Sequence, residues 1–430
     1  MIPGPRLPAS AQTAWWFLGR FSFARTCARR YGPCFRIRLL GFGSVVVIAD
    51  PDQMREVLGR DDELLAAGSA NAYGGLLAEL AGESSILLSD GADHARRRAA
   101  LAAALTGLGP ETEALTREAV RRSLPRWPRQ QRFQLALPLG RVSLDVLATV
   151  LLGLPAGRRE ETIAVLAEWA ASWNDPQVLL PWLRGRRGRR QRWRRFVAAR
   201  AAVRRLIRAA VADSDEGVVG RLRAAGTLAE EEVVDQLMSL LVVGHHPTAN
   251  GLAWAMELLL RHPDAQERLR RSLADGSDDY LEAVVRETLR LRPVGQWMAR
   301  RVLAPVRVCG GSVEAGELLV PNAFLAHHDP VLHPDPEGFR PERFLAGPEA
   351  GSCLPFGSGL RRCPGEELVL SQMRGVTREV VSALRLRPGG RRPERIVPDG
   401  ISLVPKRGVT AIADDLPAAG PGAAAPSRSP

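Results

Sequence analysis

The amino-acid sequence contains almost no lysine, few cysteines and no long apolar run. Lys406 is the single lysine, so 58 of the 59 basic residues are arginine. Five cysteines among 430 residues are too few for a disulfide scaffold, and their odd number leaves at least one thiol unpaired. The best apolar runs, 135–154 and 237–243, are interrupted by charges or too short, because a membrane span takes about 20 apolar residues. These absences exclude a transmembrane protein and a small disulfide-rich one.

The first ten residues, MIPGPRLPAS, do not resemble a secretory signal. They lack the charged start, the apolar stretch and the small-residue cleavage site of such a signal. We therefore expect a cytoplasmic protein whose cysteines are reduced. With 45% hydrophobic and 25% charged residues, the composition is that of a globular protein, and 430 residues allow one large domain or two to three smaller ones.

The excess of basic residues gives a formal net charge of +12 and allows two interpretations. A nucleic-acid or anionic membrane surface is suggested by residues 184–208, which contain twelve arginines. The alternative is a solvated helix face in a protein that uses arginine wherever others use lysine. Because the same preference for arginine runs through the whole chain, we favour the second interpretation and expect no nucleic-acid partner.

Strand signals stand out in two parts of the chain. Segments 35–39 and 44–48 flank Gly41-Phe42-Gly43 and predict a β-hairpin, and 302–321 is a second strand-rich zone. Elsewhere apolar residues recur at helical spacing, so we expect a mainly α protein with a small β region, an α+β fold. We assign residues 1–413 to a single domain and the Pro/Ala-rich residues 414–430 to a disordered tail.

One helix is predicted to be unusually long. Thr227 and Glu230 have the spacing of a capping box, helical periodicity continues to Arg261, and His262-Pro263 ends it. At about 1.5 Å per residue, this helix is about 50 Å long and crosses the whole molecule. Another helix is predicted over 278–292, ending before a proline.

The most informative segment is FGSGLRRCPGE at 356–366. Cys363 precedes Pro364, a residue favoured at the first position of a helix, and apolar residues at helical spacing follow. Cys363 is therefore expected at a helix N-terminus, where free N–H groups and the helix dipole stabilise a thiolate. The glycines let the backbone approach a flat ligand, and Arg361 can meet an anionic group of that ligand. Such a thiolate suits an axial haem ligand, and a buried structural cysteine is the alternative.

This segment resembles the haem-binding loop of the cytochrome P450 family, Phe-x-x-Gly-x-Arg-x-Cys-x-Gly. Its five fixed positions are matched by Phe356, Gly359, Arg361, Cys363 and Gly365. A chance match in a chain of 430 residues is on the order of one in ten thousand. The resemblance covers about residues 3–412. It implies a single large haem domain with the P450 fold, haem b with Cys363 as its metal ligand, and O2 as co-substrate.

Further motifs match the same family in the same order along the chain. Glu287 and Arg290 match its Glu-x-x-Arg motif, and their three-residue spacing places both side chains on one helix face. The resemblance implies a buried network that includes Arg343 of the segment PERF. An ordinary surface ion pair, worth under about 1 kcal/mol, is the alternative.

Additional residues are implied to donate to the haem carboxylates. His94 and Arg98 match the family's His-x-x-x-Arg pattern, and a four-residue spacing places them on one helix face. Arg300-Arg301 occupies another donor position, and the sequence does not decide between the two. The cofactor-binding residues implied are His94, Arg98, Arg300, Arg301, Phe356, Gly357, Arg361, Cys363 and Gly365.

The long helix, which the resemblance places over the haem, departs from the family pattern at its centre, VGHHPT at 243–248. Where the family usually has an acid and then a threonine, this chain has His246 and Pro247. Proline removes a backbone donor and clashes with the carbonyl of Val243, so we expect the helix to kink or open there. His246 either passes protons or turns away from the haem, and a His246–iron bond is less favoured. The expected catalytic residues are Gly244, His246, Pro247 and Thr248.

The resemblance also implies a substrate pocket with few fixed charges, formed by the loop 66–89, the segments 237–247 and 294–298, and a turn near 398–401. This lining favours a small lipophilic substrate such as a terpenoid or polyketide, and ordinary hydrophobic core is the alternative. The expected lining residues are Tyr73, Leu76, Leu77, Leu80, Ile86, Met238, Leu241, Val243, Trp297 and Met298.

The activity implied is hydroxylation or epoxidation by a monomeric monooxygenase. Electrons are expected from a separate ferredoxin and its reductase, since the chain leaves no length for a flavin domain. We call residues 356–365 the thiolate loop. An acidic partner would dock on Arg361, Arg362 and Arg374 on or beside this loop. Because the acid–threonine pair is missing, two alternative activities stay open. One is oxidation without oxygen insertion, and the other is peroxide-driven chemistry. A haem sensor or nucleic-acid-binding protein is the remaining alternative.

Overall fold

A computed structural model describes residues 1–60, 63–72, 76–154, 156–172, 190–345, 352–399 and 402–416, and most of them are helical. The α-helices in this part of the chain are α1 (Ala9–Tyr31), α2 (Pro51–Gly59), α3 (Gly68–Asn71), α4 (Leu76–Ala81), α5 (Gly91–Leu105), α6 (Gly109–Ser123), α7 (Ala136–Leu152), α8 (Arg159–Ser172), α9 (Arg190–Asp213), α10 (Gly217–Ala225), α11 (Glu230–Arg261), α12 (Pro263–Ala274), α13 (Asp279–Leu291), α14 (Ala323–His327) and α15 (Glu366–Ala383). The predicted mainly α fold with a small β region is confirmed.

The strands form small sheets at the edge of the helical body. They are β1 (Cys34–Leu39), β2 (Gly43–Ile48), β3 (Leu65–Ala66), β4 (Arg132–Gln134), β5 (Arg300–Val302), β6 (Val306–Val308), β7 (Gly311–Val313), β8 (Leu318–Pro321), β9 (Leu384–Pro388), β10 (Ile396–Asp399), β11 (Ser402–Pro405) and β12 (Thr410–Asp415). The main sheet has the order β1-β2-β8-β5-β3, and β2 and β8 are parallel. The hairpin predicted around residues 41–43 is β1–β2, paired from Cys34↔Ile48 to Leu39↔Gly43.

Helix α11 lies at the centre of the fold. It packs against α4, α7, α9, α13 and α15 and against β11. Leu237, Leu241 and Leu252 are almost completely buried, and a helix that is apolar around its circumference is stable only inside other structure. With 32 residues it is about 48 Å long, which confirms the predicted long helix.

Two expectations about α11 are wrong in detail. Thr227 is not its cap, because the helix begins at Glu230 after Ala229, whose N–H donates to the carboxylate of Glu232 at 3.1 Å. The expected opening at Pro247 is absent, since the helix continues as α-helix through that residue, whereas the expected kink there stays a prediction. The surrounding helices hold the backbone helical although Pro247 cannot donate to the carbonyl of Val243.

The expectation that all cysteines are reduced is wrong, because Cys34 and Cys309 form a disulfide with Cα atoms 6.0 Å apart. Cys34 begins β1, and Cys309 lies in the turn between β6 and β7. Their separation of 275 residues explains why sequence spacing does not reveal the pair. Cys27, Cys353 and Cys363 do not take part in a disulfide.

The C-terminal end of the folded chain lies slightly beyond the expected boundary at residue 414. Strand β12 pairs with β9 through Asp414↔Arg385 and Asp415↔Leu384. Residues 417–430 lie outside the described part of the chain. Among the described helices, none is long and apolar enough to cross a membrane.

Candidate cofactor cavity and active site

A cavity of about 330 Å³ lies between α11 and the loop that precedes α15. Most of its wall is apolar, and a few polar side chains interrupt it. The apolar lining includes Leu58, Ala67, Ile86, Leu87, Leu240, Val243, Val294, Trp297, Met298, Val369 and Met373. The polar lining is Asn71, His94, Arg98, Ser239, Arg300, Ser358, Arg361 and Cys363. A predominantly apolar cavity with a few convergent polar groups is typical of a ligand site.

The loop around Cys363 is shaped by glycines and backbone hydrogen bonds. The Cys363 N–H donates to the carbonyl of Phe356 at 3.0 Å, which closes the loop. Gly359 has φ +66°, and a Cβ there would lie 2.4 Å from the carbonyl oxygen of Leu58, so the close approach to α2 requires glycine. Gly365 caps α15, which begins at Glu366. The expectation that Pro364 is the first helical residue is therefore wrong, because Pro364 precedes the cap.

The protein alone does not make the Cys363 thiol acidic. Burial raises its pKa above the ordinary value and outweighs the N–H of Gly365 and the charges of Arg98 and Arg362, which favour the thiolate. The expectation that the helix N-terminus stabilises the thiolate is thus only partly met. A soft sulfur ligand aimed into a dry cavity is suited to a metal ion, whose positive charge stabilises the thiolate.

Arg98 carries an uncompensated charge at this cavity. It has no ion-pair partner among the described residues, and burial lowers the pKa of its guanidinium, with the nearby charge of Arg361 adding to the effect. A partly buried cation is stabilised by an anion beside it. The α5 residue one turn earlier, His94, is buried and lines the same cavity, as their four-residue spacing predicts.

The structure distinguishes Arg300 from Arg301. Both belong to β5, where successive side chains point to opposite faces of the sheet. Arg300 is buried and lines the cavity, and it donates to the carbonyl of Ala299 at 3.1 Å. Arg301 instead donates to the carbonyl of Gly316 at 3.3 Å on the exposed side. Only Arg300 is placed to meet a ligand in the cavity.

Arg361 lines the cavity but is already engaged by the protein. Its Nη2 donates to the carboxylate of Asp90 at 2.8 Å and to the carbonyl of Ser89 at 2.6 Å. Asp90 also accepts from the N–H groups of Gly68 and Ser69. Arg361 thereby ties the thiolate loop to the segment that precedes α5. This positioning contact was not expected from the sequence, which assigns Arg361 to the ligand and to the docking face of a partner.

The structure brings the predicted Glu287, Arg290 and Arg343 together. Glu287 and Arg290 have side chains with 0% exposure and are joined by two hydrogen bonds, of 2.7 and 2.8 Å. Arg343 donates to the same carboxylate at 3.2 Å, as does the N–H of Arg340 at 2.9 Å. The alternative of an ordinary surface ion pair is therefore wrong.

His327 is a functional candidate that sequence reasoning missed. Its Nδ1 lies 3.1 Å from the carbonyl of Arg290, and its Nε2 accepts from the N–H of Leu354 at 2.8 Å. These partners fix the tautomer with the proton on Nδ1. The ring links the Glu287–Arg290 pair to the chain that leads into the thiolate loop. In the sequence His327 begins the segment HHDPVLHPDP at 327–336, and nothing in its spacing connects it to the loop.

On α11, Val243 and Pro247 line the cavity, whereas Gly244, His246 and Thr248 do not belong to its lining. His246 turns to the β10–β11 hairpin, where its Nε2 lies 3.1 Å from the carboxylate of Asp399. A Cβ at Gly244 would lie 3.2 Å from Leu147, so this residue allows close packing against α7. Of the four expected catalytic residues, only Pro247 faces the cavity.

The structure places some of the expected substrate-pocket residues in the cavity wall and others in the hydrophobic core. Ile86, Val243, Trp297 and Met298 line the cavity. Leu77, Leu80, Met238 and Leu241 are not part of its lining, and the last three are buried in the hydrophobic core. Tyr73 and the side chain of Leu76 lie outside the described part of the structure. The α11 residues that do face the cavity, Ser239, Leu240, Val243, Pro247 and Gly251, recur every one to four residues on one helix side.

The donor set of the cavity fits haem. Cys363 offers an axial sulfur ligand, Arg98 and Arg300 offer cations for two carboxylates, and apolar residues surround the rest of a flat ring. Among the described residues, no cluster of three or more His, Cys, Asp or Glu side chains could hold a metal ion directly.

Comparison with known proteins gives one consistent result. The family model for Cytochrome P450 matches residues 12–411. Cytochrome P450 135B1 of Mycobacterium tuberculosis strain H37Rv is 33% identical over 441 residues, which is 94% of this chain and 90% of that protein. Cytochrome P450 135A1 of the same organism is 30% identical over 427 residues, 94% and 93% of the two chains.

Solved structures with low sequence identity share the fold. The retinoic-acid-bound cyanobacterial CYP120A1 superposes with a TM-score of 0.81 at 24% identity, covering 97% of this chain and 99% of that one. CYP175A1 of Thermus thermophilus superposes with a TM-score of 0.77 at 23% identity, covering 96% and 100%.

Proposed function

The chain belongs to the cytochrome P450 family of haem-dependent monooxygenases, and from this premise we propose that it hydroxylates or epoxidises a small lipophilic substrate. The observation that carries the proposal is the cavity in which Cys363, Arg98 and the centre of α11 face one another. The family uses haem with a cysteine thiolate ligand and O2, and the protein matches it over nearly its whole length.

We infer that haem b binds with Cys363 as its axial ligand and with Arg98, His94 and Arg300 at its propionates. The bound haem supplies the iron at which O2 is activated. Phe356, Gly357 and Gly365 form the turn around the ligand, and Arg361 keeps that turn in place through Asp90. A rigid loop would hold the Cys363 sulfur in one position for binding the iron, and the groups around the sulfur would tune that iron.

On the side of the cavity opposite Cys363, α11 forms the wall and offers a backbone hydrogen-bond acceptor. Pro247 has no N–H, so the carbonyl of Val243 lacks its usual helical donor. We infer that this carbonyl holds an ordered water that supplies protons in place of the missing acid–threonine pair. Ser239 is a nearby hydroxyl in the lining, and it is bonded to Ser85 at 2.7 Å.

The substrate is inferred to be uncharged and lipophilic, such as a terpenoid or polyketide intermediate. The distal wall consists of Ile86, Leu87, Leu240, Val243 and Val294, which offer contact area without charge. Asn71 and Ser239 are the polar exceptions, and one hydroxyl or carbonyl on the substrate would be oriented by them.

Electrons are inferred to come from a separate ferredoxin and ferredoxin reductase. A groove of about 340 Å³ beside the thiolate loop is lined by Phe344 and Phe356 and by Arg286 and Arg362. These two arginines pair with Glu282 and Glu366 of the same lining, so an acidic partner would have to exchange with those glutamates. Arg361, which the sequence assigned to this face, is instead occupied with Asp90 behind the loop.

The reduced protein with carbon monoxide provides the deciding experiment. A strongly red-shifted Soret band is expected for thiolate ligation, and Cys363→Ser should abolish it. Cys353→Ser is the matched control, because Cys353 is a cysteine outside any disulfide that lines the neighbouring groove and not the cavity. A band that survives in Cys363→Ser, or disappears in Cys353→Ser, would contradict the assignment.

The alternative of oxidation without oxygen insertion, or with peroxide, is favoured by one observation. His246 and Pro247 replace the residues that usually deliver protons, and His246 is bonded to Asp399 outside the cavity lining. Incorporation of label from ¹⁸O2 distinguishes oxygen insertion from these alternatives, since a monooxygenase product carries one labelled oxygen. Turnover with hydrogen peroxide but not with ferredoxin would favour the alternative.

The nucleic-acid interpretation receives no support from helix α9. Arg195, Arg200, Arg204 and Arg208 each form an ion pair with an acidic side chain of α4, α8 or α11. The arginines at 184–189 lie outside the described residues. We therefore propose no nucleic-acid partner. That the enzyme is monomeric is a separate proposal, which rests on the family resemblance.

A further inference from the structure

Residues 85–90, which precede α5, form part of the cavity wall, and we call them the wall segment. Ile86 and Leu87 of this segment line the cavity. On one side the segment is held by α11. The Ile86 N–H donates to the side-chain oxygen of Gln236 at 2.9 Å, and the hydroxyls of Ser85 and Ser239 are hydrogen-bonded at 2.7 Å. Because both α11 residues are almost completely buried, this side of the wall segment is firmly anchored.

The other side of the wall segment is held by the thiolate loop. The guanidinium of Arg361 donates to the carbonyl of Ile86 at 3.3 Å and to the carbonyl of Ser89 at 2.6 Å. Arg361 lies two residues before Cys363, and its side chain is only 11% exposed. One side chain of the loop that carries the sulfur therefore also holds the cavity wall.

Asp90 fixes the position of this guanidinium. Its carboxylate accepts from Arg361 at 2.8 Å and from the N–H groups of Gly68 and Ser69 at 2.6 and 2.9 Å. A Cβ at Gly68 would lie 2.6 Å from the carbonyl oxygen of Leu88, so this close approach of two segments requires glycine. Hydrogen bonds to an ionised group are strong and directional, so the carboxylate has one well-defined position.

The neighbouring Arg98 shows what the carboxylate prevents. Burial lowers the pKa of the Arg98 guanidinium, and the nearby charge of Arg361 lowers it further. Arg361 is paired with Asp90, whereas Arg98 has no ion-pair partner among the described residues. Without Asp90, Arg361 would be a second unpaired cation drawn toward the anionic groups of a ligand in the cavity. Its hold on the wall segment would then weaken.

We propose that Asp90 is a positioning residue that couples the shape of the wall at Ile86 and Leu87 to the position of the Cys363 sulfur. Asp90 does not belong to the cavity lining, so it acts through Arg361. Because α11 anchors one side of the wall segment, a ligand that presses on the wall displaces the side held by Arg361, and the thiolate loop moves with it. The coupling rests on the proposed function, since it concerns a haem bound at Cys363.

Two iron ligands of different size test the coupling in the haem-loaded protein. Imidazole occupies only the space next to the iron, whereas 4-phenylimidazole also places a phenyl ring against the wall. In Asp90→Asn the wall has to be ordered when the larger ligand binds. The dissociation constant of 4-phenylimidazole should therefore rise about tenfold more than that of imidazole, which is the scale of one hydrogen bond to a charged group.

The carbon monoxide spectrum of the same variant reports the other end of the coupling. Part of the red-shifted band of Asp90→Asn should move to the position of a haem without thiolate ligation. Asp90→Glu keeps the charge beside Arg361 but lengthens the side chain. It should show both effects at smaller size, and it decides the question if Asp90→Asn does not fold.

Asp93→Asn is the matched control, because Asp93 lies on the neighbouring turn of α5, is 67% exposed and pairs at the surface with Arg96 at 3.6 Å. It should leave the ratio of the two dissociation constants and the band unchanged. Arg361→Gln combined with Asp90→Asn should be no worse than Arg361→Gln alone, since both changes break the same contact.

The possible outcomes separate this proposal from the proposed function. A normal red-shifted band in the wild type, together with an Asp90→Asn variant that changes neither readout or only one of them, would overturn the coupling alone. Additive effects of Asp90→Asn and Arg361→Gln would overturn it as well. A wild type without the red-shifted band would overturn the proposed function and the coupling with it.

Discussion

Replacement of Glu287 by glutamine should destabilise the protein severely, although it changes only one atom and one charge. The carboxylate accepts four hydrogen bonds, from Nε and Nη2 of Arg290, Nε of Arg343 and the N–H of Arg340. Glutamine keeps one acceptor oxygen and turns an NH2 group toward donors. Two guanidinium groups then remain beside a site without negative charge.

The magnitude follows from the burial of the pair. Glu287 and Arg290 have side chains with 0% exposure, so water cannot replace the lost partner. Removal of one member of a buried ion pair costs about 3–5 kcal/mol. A protein of marginal stability, about 5–15 kcal/mol, would lose a large part of its margin. Because His327 connects Arg290 to Leu354, disorder should spread to the thiolate loop.

Urea unfolding of the haem-loaded protein, followed by circular dichroism, measures the loss. Glu282→Gln is the matched control, because Glu282 lies on the same helix but pairs at the partly exposed surface with Arg286 and Arg374. It should cost less than about 1 kcal/mol. Equal unfolding free energies for the two variants would refute the reasoning that burial makes the Glu287 network strong.

Other buried groups have consequences that can be measured. His327→Leu leaves the Leu354 N–H without its acceptor. It should lower the unfolding free energy by about 2 kcal/mol and weaken the red-shifted carbon monoxide band. An unchanged band would contradict the positioning role of His327. Cys34→Ser opens a loop of 275 residues and should cost about 2–5 kcal/mol, which thermal unfolding with and without reductant would detect. His246→Ala should leave product formed per reductant unchanged, since the ring contacts Asp399 rather than the cavity, and a fall would restore the proton-relay hypothesis. Burial lowers the pKa of His245 and His327 to about 3 and of His328 to about 2. Because the unfolded chain binds protons from about pH 6.5 downward, stability should be full above about pH 7 and fall between pH 6.5 and 3; a flat urea midpoint from pH 8 to 5 would contradict this.

The sequence predicted the parts of this protein that depend on short segments. The glycines, arginine and cysteine of 356–365 lie in one loop, and the Glu287–Arg290 spacing lies on one helix, so their arrangement is local. The long helix was equally accessible, because its periodicity and its end at His262 are properties of consecutive residues. These features were sufficient to indicate the fold and to single out Cys363 as the proposed haem ligand.

Side-chain direction could not be read from the sequence where neighbouring residues compete for one position. Arg300 and Arg301 are chemically equal, and only the pairing of β5 with β8 decides which of them faces the cavity. The sequence allowed His246 to be a proton carrier, but in the structure its partner is Asp399 of the β10–β11 hairpin. Both decisions depend on elements distant in the chain, which periodicity does not reveal.

The sequence by itself therefore determined the cofactor loop, the helical class and the family resemblance, since these rest on local spacing and residue chemistry. The tertiary structure alone decided the Cys34–Cys309 pair, the Asp90–Arg361 contact and the His327–Leu354 link. Each of these joins residues separated by 27 to 275 positions. Such contacts form only when packing of the core brings distant segments together, because no local rule fixes which polar groups will meet.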